Sequence, residues 1–150
     1  MIKRKKGKRQ ITRSKKVTED GVSFASKLEL YMYRALKKAK IPFVYEGQTY
    51  VIVDGFFSDN ISYEKTKAQK ELNNRGNKKI LPIKYTPDFV DKEYPPRYII
   101  ETKGNPNEAF PLRWKLFKKF LHDSEIHADL YMPRNQKDCD KTVELIKNKL

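Results

Sequence analysis

Two apolar segments, residues 80–90 and 97–103, flank the turn-rich stretch 91–96, and this arrangement constrains the fold more than any other part of the chain. The flanking segments are rich in β-branched and aromatic residues, which favours strands. The intervening stretch contains an aspartate and two prolines, which favour a turn. The sequence therefore predicts an antiparallel hairpin at the centre of the molecule.

The register of this hairpin brings two carboxylates together. A hairpin centred between Tyr94 and Pro95 places Asp88 opposite Glu101, and directly opposed residues have Cβ atoms about 4.5–5.5 Å apart. Like charges this close destabilise a sheet unless a cation lies between them. Because side chains alternate along a strand, Lys103 is predicted on the same face as Glu101.

Two interpretations of this cluster follow. Carboxylates that hold a hard divalent cation, with a lysine beside the metal-bound water, are the groups that phosphodiester hydrolysis requires. The alternative is that Glu101 and Lys103 form an ordinary ion pair on a strand face and that Asp88 lies in a turn.

The remaining elements predict an α/β fold with a mixed sheet flanked by helices. Hydrophobic periodicity predicts a first helix over 23–40, one or two strands over 43–53, a second helix over 111–122, a strand over 127–132 and a last helix capped by Asp138 or Asp140. We expect a flexible basic arm over residues 1–20 and a single domain over 21–150.

A polar, basic insertion over about residues 54–80 interrupts this order. It is long for a connection inside a compact domain, so it forms either a functional loop or a short helix near residues 65–72. We favour the helix.

The charge is strongly basic, with 33 Lys and Arg against 19 Asp and Glu and a net charge of +14. Nine basic residues and no acidic ones lie within the first 16 residues: Lys3, Arg4, Lys5, Lys6, Lys8, Arg9, Arg13, Lys15 and Lys16. Such a block gains counterion-release free energy along phosphates, although a solubility tail or a localisation signal has the same composition. Nucleic acid is the expected partner, ahead of an anionic membrane or an acidic protein.

The second predicted helix carries four further basic residues directly after the Glu-x-Lys strand: Arg113, Lys115, Lys118 and Lys119. They either grip phosphate or form a solvated helix face. Trp114 on the same helix lies among apolar positions, which favours core packing over stacking on a base. One cysteine and the absence of a long apolar run predict a cytoplasmic, soluble protein with no disulfide and no membrane partner.

The motif Pro87-Asp88, twelve intervening residues and Glu101-Thr102-Lys103-Gly104 resembles the PD-(D/E)XK nuclease signature. Its surroundings, 85–89 and 99–104, together with upstream segments 26–29 and 41–46, are similar to the phage endonuclease I family of Holliday-junction-resolving enzymes. The resemblance implies a restriction-endonuclease-like core, an intertwined homodimer, branched DNA as substrate, and a phage-encoded protein acting in a bacterial host.

The resemblance also implies roles for individual residues. Asp88 and Glu101 correspond to ligands of two Mg²⁺ or Mn²⁺ ions, the Thr102 carbonyl to a further ligand, and Lys103 to the residue beside the nucleophile. Glu29 corresponds to a glutamate that reaches in from the first helix. However, Ser26-x-x-Glu29 is also a capping box, in which Glu29 bonds the backbone at the helix start instead.

Three functions remain open on this basis. The first is a metal-dependent endonuclease that resolves branched DNA. The second is a duplex endonuclease of the same fold, either sequence-specific or associated with a transposon or phage. The third is a non-catalytic nucleic-acid-binding protein in which the acids and the lysine are a structural ion-pair set.

Overall fold

The computed structural model describes residues 16–150, which form a mixed α/β fold with three helices. The helices are α1 (Lys27–Lys38), α2 (Phe110–Asp123) and α3 (Gln136–Lys147). The strands are β1 (Val17–Glu19), β2 (Val22–Phe24), β3 (Phe43–Tyr45), β4 (Tyr50–Val53), β5 (Phe56–Ser58), β6 (Tyr63–Glu64), β7 (Asn73–Asn74), β8 (Lys78–Ile80), β9 (Ile83–Tyr85), β10 (Phe89–Asp91), β11 (Tyr98–Ile100) and β12 (Asp129–Tyr131).

A four-stranded sheet with the order β12-β11-β10-β3 lies at the centre of the described residues. Strand β12 runs parallel to β11, whereas β10 pairs antiparallel with both β11 and β3. The sheet is therefore mixed, and the predicted mixed α/β class is confirmed.

The two faces of this sheet pack against different helices. Alternate side chains of β11 point in opposite directions, so Tyr98 and Ile100 join one buried cluster while Ile99 joins another. The first cluster contains residues of α1 and α3. The second contains residues of α2 together with Tyr50 of β4 and Tyr85 of β9. The central sheet is thus covered on both faces.

The hairpin register agrees with the sequence prediction. Phe89 pairs with Ile100 and Val90 with Ile99, a register that places Asp88 opposite Glu101. The prediction of one strand over 80–90 is wrong, however. Prolines at positions 82 and 87 supply no backbone N–H for a ladder, and the segment divides among β8, β9 and β10.

The insertion forms paired strands instead of the predicted helix near residues 65–72. Strand β4 pairs with β9, β5 with β8 and β6 with β7, all antiparallel, so that residues 50–85 make one nested hairpin that we call the ribbon. Several large apolar side chains of the ribbon are exposed, namely Phe56, Phe57, Ile61, Tyr63, Leu72 and Leu81. Its outer part therefore contributes little to either buried cluster.

The start of the chain is also more structured than predicted. Residues 1–15 of the basic arm lie outside the described residues, but β1 and β2 form a hairpin that overlaps the predicted arm and the predicted helix start. Asp20 and Gly21 have φ angles of 53° and 75°, as a two-residue hairpin turn requires. Helix α1 then begins after Ser26, its N-cap.

The last helix is capped one turn earlier than predicted. Asn135 is the N-cap of α3, and its side chain accepts a hydrogen bond from the Asp138 backbone N–H at 2.9 Å. The Asp138 carboxylate instead accepts from the Arg134 backbone N–H, so neither predicted aspartate is the cap. No helix within residues 16–150 has the length and apolar character needed to cross a membrane.

Candidate active site

Glu101 and Lys103 lie just beyond β11, where backbone pairing with the β12 segment continues. The Glu101 N–H donates to the Tyr131 carbonyl at 2.9 Å, and the Lys103 N–H donates to the Pro133 carbonyl at 3.0 Å. This extended backbone keeps the two side chains on one face. The Lys103 Nζ accordingly lies 3.2 Å from Glu101 Oε1, as the alternation predicted.

Thr102 binds the opposite carboxylate. Its backbone N–H and its hydroxyl donate to Asp88 Oδ2 at 2.6 and 2.5 Å. Glu101 and Thr102 are each only 5% exposed. The structure therefore brings together Asp88, Glu101, Thr102 and Lys103, the four residues that the motif contributes.

Folding makes both carboxylates harder to ionise, since it raises the pKa of Asp88 and that of Glu101. Burial, together with the negative charge of Glu101, raises the pKa of Asp88 to about 7, even though Thr102 hydrogen bonds favour the charged form. Burial also raises the pKa of Glu101, against the opposing effects of Tyr85 and Lys103. The Glu29 charge raises both pKa values further. Negative charge at this site thus exceeds what Lys103 neutralises.

One oxygen of the Glu101 carboxylate accepts no hydrogen bond from the described residues. Glu101 Oε2 is buried without a hydrogen bond, and so is the Tyr85 hydroxyl. Tyr85 still lowers the pKa of Glu101, so the two groups interact without reaching hydrogen-bond geometry. An unpaired buried carboxylate oxygen is costly.

This donor set fits a hard cation. Carboxylate and carbonyl oxygens are the preferred ligands of Mg²⁺ and Mn²⁺, and a cation beside Glu101 Oε2 would offset the excess charge. Within residues 16–150, no group of three or more His, Cys, Asp or Glu side chains is close enough together to hold a metal ion. The fit rests on Asp88 and Glu101 as a pair.

Glu29 forms the capping box that competes with its predicted catalytic role. The Ser26 hydroxyl donates to Oε1 at 2.9 Å, and the Glu29 backbone N–H donates to the Ser26 hydroxyl at 3.1 Å. Oε2 accepts from the Ala25 backbone N–H at 3.0 Å and from the Tyr45 hydroxyl at 2.8 Å. Both carboxylate oxygens are engaged, so Glu29 acts on Asp88 and Glu101 through its charge.

The basic residues of α2 divide into two groups. Lys115 and Lys118 line a cavity beside Lys103. Arg113 donates to the Lys84 carbonyl of β9 at 2.8 Å, and Lys119 pairs with Asp123 at 2.8 Å. The structure therefore brings two of the four predicted phosphate-binding residues to a cavity that Lys103 also lines. Of the nine basic residues of the predicted arm, it describes Lys16 alone, which is exposed.

A protein-family model described as "Protein of unknown function (DUF1064)" matches residues 9–132. The chain belongs to this family. No curated protein and no solved structure gives a significant match.

We call Asp88, Glu101, Thr102 and Lys103 the carboxylate cluster. The DUF1064 match includes all four residues and ends before α3. Helix α3 packs against α1, and the Tyr31 hydroxyl of α1 donates to Asp140 at 2.9 Å. The cluster itself therefore lies within the family region, whereas Pro133, which pairs with Lys103, and the supporting helix lie outside it.

Two tyrosines of this DUF1064 site were not predicted from the sequence. Tyr85 approaches Glu101 from β9, and Tyr45 donates to Glu29 from β3. Strand β3 pairs with β10, and β9 pairs with β4, over separations along the chain that hydrophobic alternation does not reveal. The sequence signal for Tyr85 is its position three residues before Asp88. This spacing indicates that Tyr85 lies near the site but does not indicate where its side chain points.

Proposed function

We propose that this DUF1064 protein is a metal-dependent DNA endonuclease with a PD-(D/E)XK core that cuts branched DNA. The observation that carries the proposal is the pair formed by Asp88 and Glu101, with Lys103 on the same face and one buried oxygen of Glu101 unpaired. A structural ion pair needs one carboxylate for one lysine. The second buried carboxylate costs stability unless a cation joins it.

In this proposal Asp88, Glu101 and the Thr102 carbonyl hold Mg²⁺ or Mn²⁺, with two ions per site as the family resemblance implies. A metal ion bound by these residues would supply an acidic water and would balance charge on the phosphorus. Thr102 fixes Asp88 through its two hydrogen bonds. Lys103, held at 3.2 Å from Glu101, orients the attacking water and adds positive charge next to the phosphate.

The basic character of the chain supports DNA as the substrate. A net charge of +14 favours a polyanion, and phosphate contacts supply affinity without sequence preference. The preference for branched DNA, the homodimer and the setting of a phage protein in bacterial cytoplasm come from the resemblance of the motif segments. A sequence-specific duplex endonuclease would use the same catalytic groups.

A second candidate is a non-catalytic nucleic-acid-binding protein. The capping box of Glu29 and the ion pair between Lys103 and Glu101 favour it, since both are structural interactions. It does not account for the buried, unpaired oxygen of Glu101. We therefore rank it below the nuclease.

A cleavage assay tests these alternatives. Purified protein with Mg²⁺ is incubated with a four-way junction, a replication fork, a linear duplex of the same sequence and single-stranded DNA. Lys103→Ala is compared with Lys141→Ala, which removes an exposed lysine of α3. The proposal expects cutting near the branch that Lys103→Ala loses and Lys141→Ala retains.

Other outcomes separate the candidates. Equal cutting of the linear duplex would keep the nuclease and remove the branch preference. Binding to all four DNAs with no cutting by the wild-type protein would favour the non-catalytic candidate.

A further inference from the structure

A cavity of about 270 Å³ lies directly beside the carboxylate cluster. Lys103 belongs to both places, because its Nζ lies 3.2 Å from Glu101 Oε1 and 4.6 Å from the centroid of the Phe110 ring. A ligand in the cavity would therefore adjoin any phosphate held at the cluster.

The cavity combines an apolar floor with a basic rim. Its floor includes Phe110, Trp114 and Met132, and the two rings lie 5.9 Å apart at an interplanar angle of 23°. Pro106 and Pro111, both exposed, also line the cavity.

The rim is formed by cationic side chains: Lys103, Lys115, Lys118 and Arg134. The Lys118 Nζ lies 5.8 Å from the Trp114 ring centroid, and the Arg134 guanidinium donates to the Gly104 carbonyl at 3.3 Å. None of the described residues that line the cavity is acidic. The cavity also adjoins the first turn of α2, where a helix favours negative charge.

This composition matches a flat apolar group that carries an anion, as a nucleobase with its phosphate does. Bases in single strands stack on aromatic side chains while basic residues follow the backbone. A base inside an intact duplex is stacked and paired, so it reaches a pocket only after leaving the helix. The volume is slightly below the roughly 300–1,000 Å³ of drug-sized ligand sites, which suits one base and excludes a duplex.

We propose that the cavity receives the unpaired nucleotide next to the phosphate bound at the carboxylate cluster. The preferred substrates are then branched DNAs with a single-stranded segment at the branch, such as forks and flaps. The inference rests on the proposed function, which makes DNA the ligand. It goes further in distinguishing these substrates from four-way junctions in which every base is paired.

The test measures binding in EDTA, so that it does not depend on cleavage. The probe is a fork whose first unpaired base is 2-aminopurine, and the comparison is a linear duplex with the same base paired. We expect the wild-type protein to quench the fork fluorescence and to bind the fork about tenfold more tightly than the duplex, the scale of one base stacked on an aromatic side chain.

Two variants address the cavity without removing its buried rings. Met132→Glu places a charge on a floor residue that is 42% exposed, and Lys118→Glu reverses a rim charge. Lys141→Glu makes the same charge change on α3 and is the matched control. Both cavity variants should lose the quenching and the tenfold preference for the fork. Met132→Glu, which removes no basic residue, should bind the linear duplex with the affinity of the control.

The inference is overturned if fork and duplex bind equally, or if both cavity variants quench as the wild type does. Free AMP in excess should displace the quenched fork at concentrations that leave duplex binding intact, because it presents the same base and phosphate to the cavity. An acidic peptide that displaces the fork in the same selective way would assign the cavity to a protein partner.

Failure of the inference differs from failure of the proposed function. A protein that binds forks through the cavity but cuts no DNA with Mg²⁺ is not a nuclease, yet the cavity assignment stands. A protein that cuts forks, with both cavity variants unchanged in fork preference, is a nuclease without this nucleotide site.

Discussion

The two ends of the β10–β11 hairpin each carry a buried or partly buried aspartate, and these two carboxylates differ in the cost of ionisation. At the turn, Asp91 accepts hydrogen bonds from the Arg97 backbone N–H at 3.1 Å and from its guanidinium at 2.5 and 3.0 Å. At the other end of the hairpin, away from the turn, which we call the open end, the hydrogen bonds to Asp88 come from the neutral Thr102. Glu101 lies opposite Asp88 there.

Burial opposes ionisation at both ends, so the partners decide the outcome. The hydrogen bonds from Arg97 and Glu93 outweigh burial and hold the pKa of Asp91 below its usual value. At Asp88, the charge of Glu101 adds to burial and the pKa rises to about 7. The turn end is therefore arranged for stability. The open end carries uncompensated charge, as functional sites often do.

The largest expected effect is on activity and separates the two ends. Asp88→Asn should lower Mg²⁺-dependent cleavage of branched DNA roughly 10³-fold, since charge stabilisation by a bound metal is worth several kcal/mol. Asp91→Asn should leave the rate within a few-fold of the wild type at a temperature at which both variants are folded. Initial rates on one fork substrate measure the difference.

Circular dichroism of both variants provides the control for folding. If Asp88→Asn cuts as fast as the wild type, the open end of the hairpin is not the active site. The difference in pKa between Asp88 and Asp91 would then have no bearing on function.

The next effect is on stability and has the opposite order. Asp91→Asn should lower the free energy of unfolding by about 2 kcal/mol, the scale of a hydrogen bond to a charged group, because Arg97 loses its carboxylate partner. Urea denaturation measures the change. Glu144→Gln, which breaks an exposed pair with Lys141, is the control and should leave the midpoint unchanged. An equal loss in both variants would mean that the turn pair is no better than a surface pair.

A smaller effect of opposite sign is expected at the open end. In EDTA at a pH of about 8, Asp88→Asn should raise the free energy of unfolding by about 1 kcal/mol, because it removes one of two facing carboxylates. Added Mg²⁺ should stabilise the wild type but not the variant. If Asp88→Asn is destabilising in EDTA, the Thr102 hydrogen bonds outweigh the repulsion, and the open end is a structural site.

The sequence predicted the β10–β11 hairpin and the relative positions of its acidic residues because both depend on residues close together in the chain. The turn stretch is short, strand alternation has a fixed period of two, and the opposing positions follow from the turn centre. The resulting positions of Asp88, Glu101 and Lys103 agree with the structure. A possible capping role for Glu29 was also visible, since Ser26 lies three residues earlier.

The outer part of the ribbon, where β5 pairs with β8 and β6 with β7, was not predicted because its pairing is not local. Phe57 and Tyr63 are 63% and 64% exposed, so the segment lacks the apolar alternation of a strand with one buried face. Strand β5 pairs with β8, about twenty residues later. By contrast, the sequence does contain a signal for the β1–β2 hairpin, because Asp20-Gly21 is a strong two-residue turn sequence. The prediction nevertheless placed Asp20 in the flexible arm.

The smallest expected effect concerns pH and refines the comparison at the turn. The pKa of Asp91 is lowered by folding, so its contribution is fully present above the unfolded pKa of about 3.9 and is lost as the pH falls through the lower folded value. The stability difference between wild type and Asp91→Asn should therefore stay constant between about pH 8 and pH 5 and narrow below about pH 4. Urea denaturation across this range, with the same Glu144→Gln control, measures it. A difference that instead widens as the pH falls from about 7 to about 4 would mean that folding raises the Asp91 pKa, as at Asp88. The two ends of the hairpin would then no longer differ in how their partners act on ionisation.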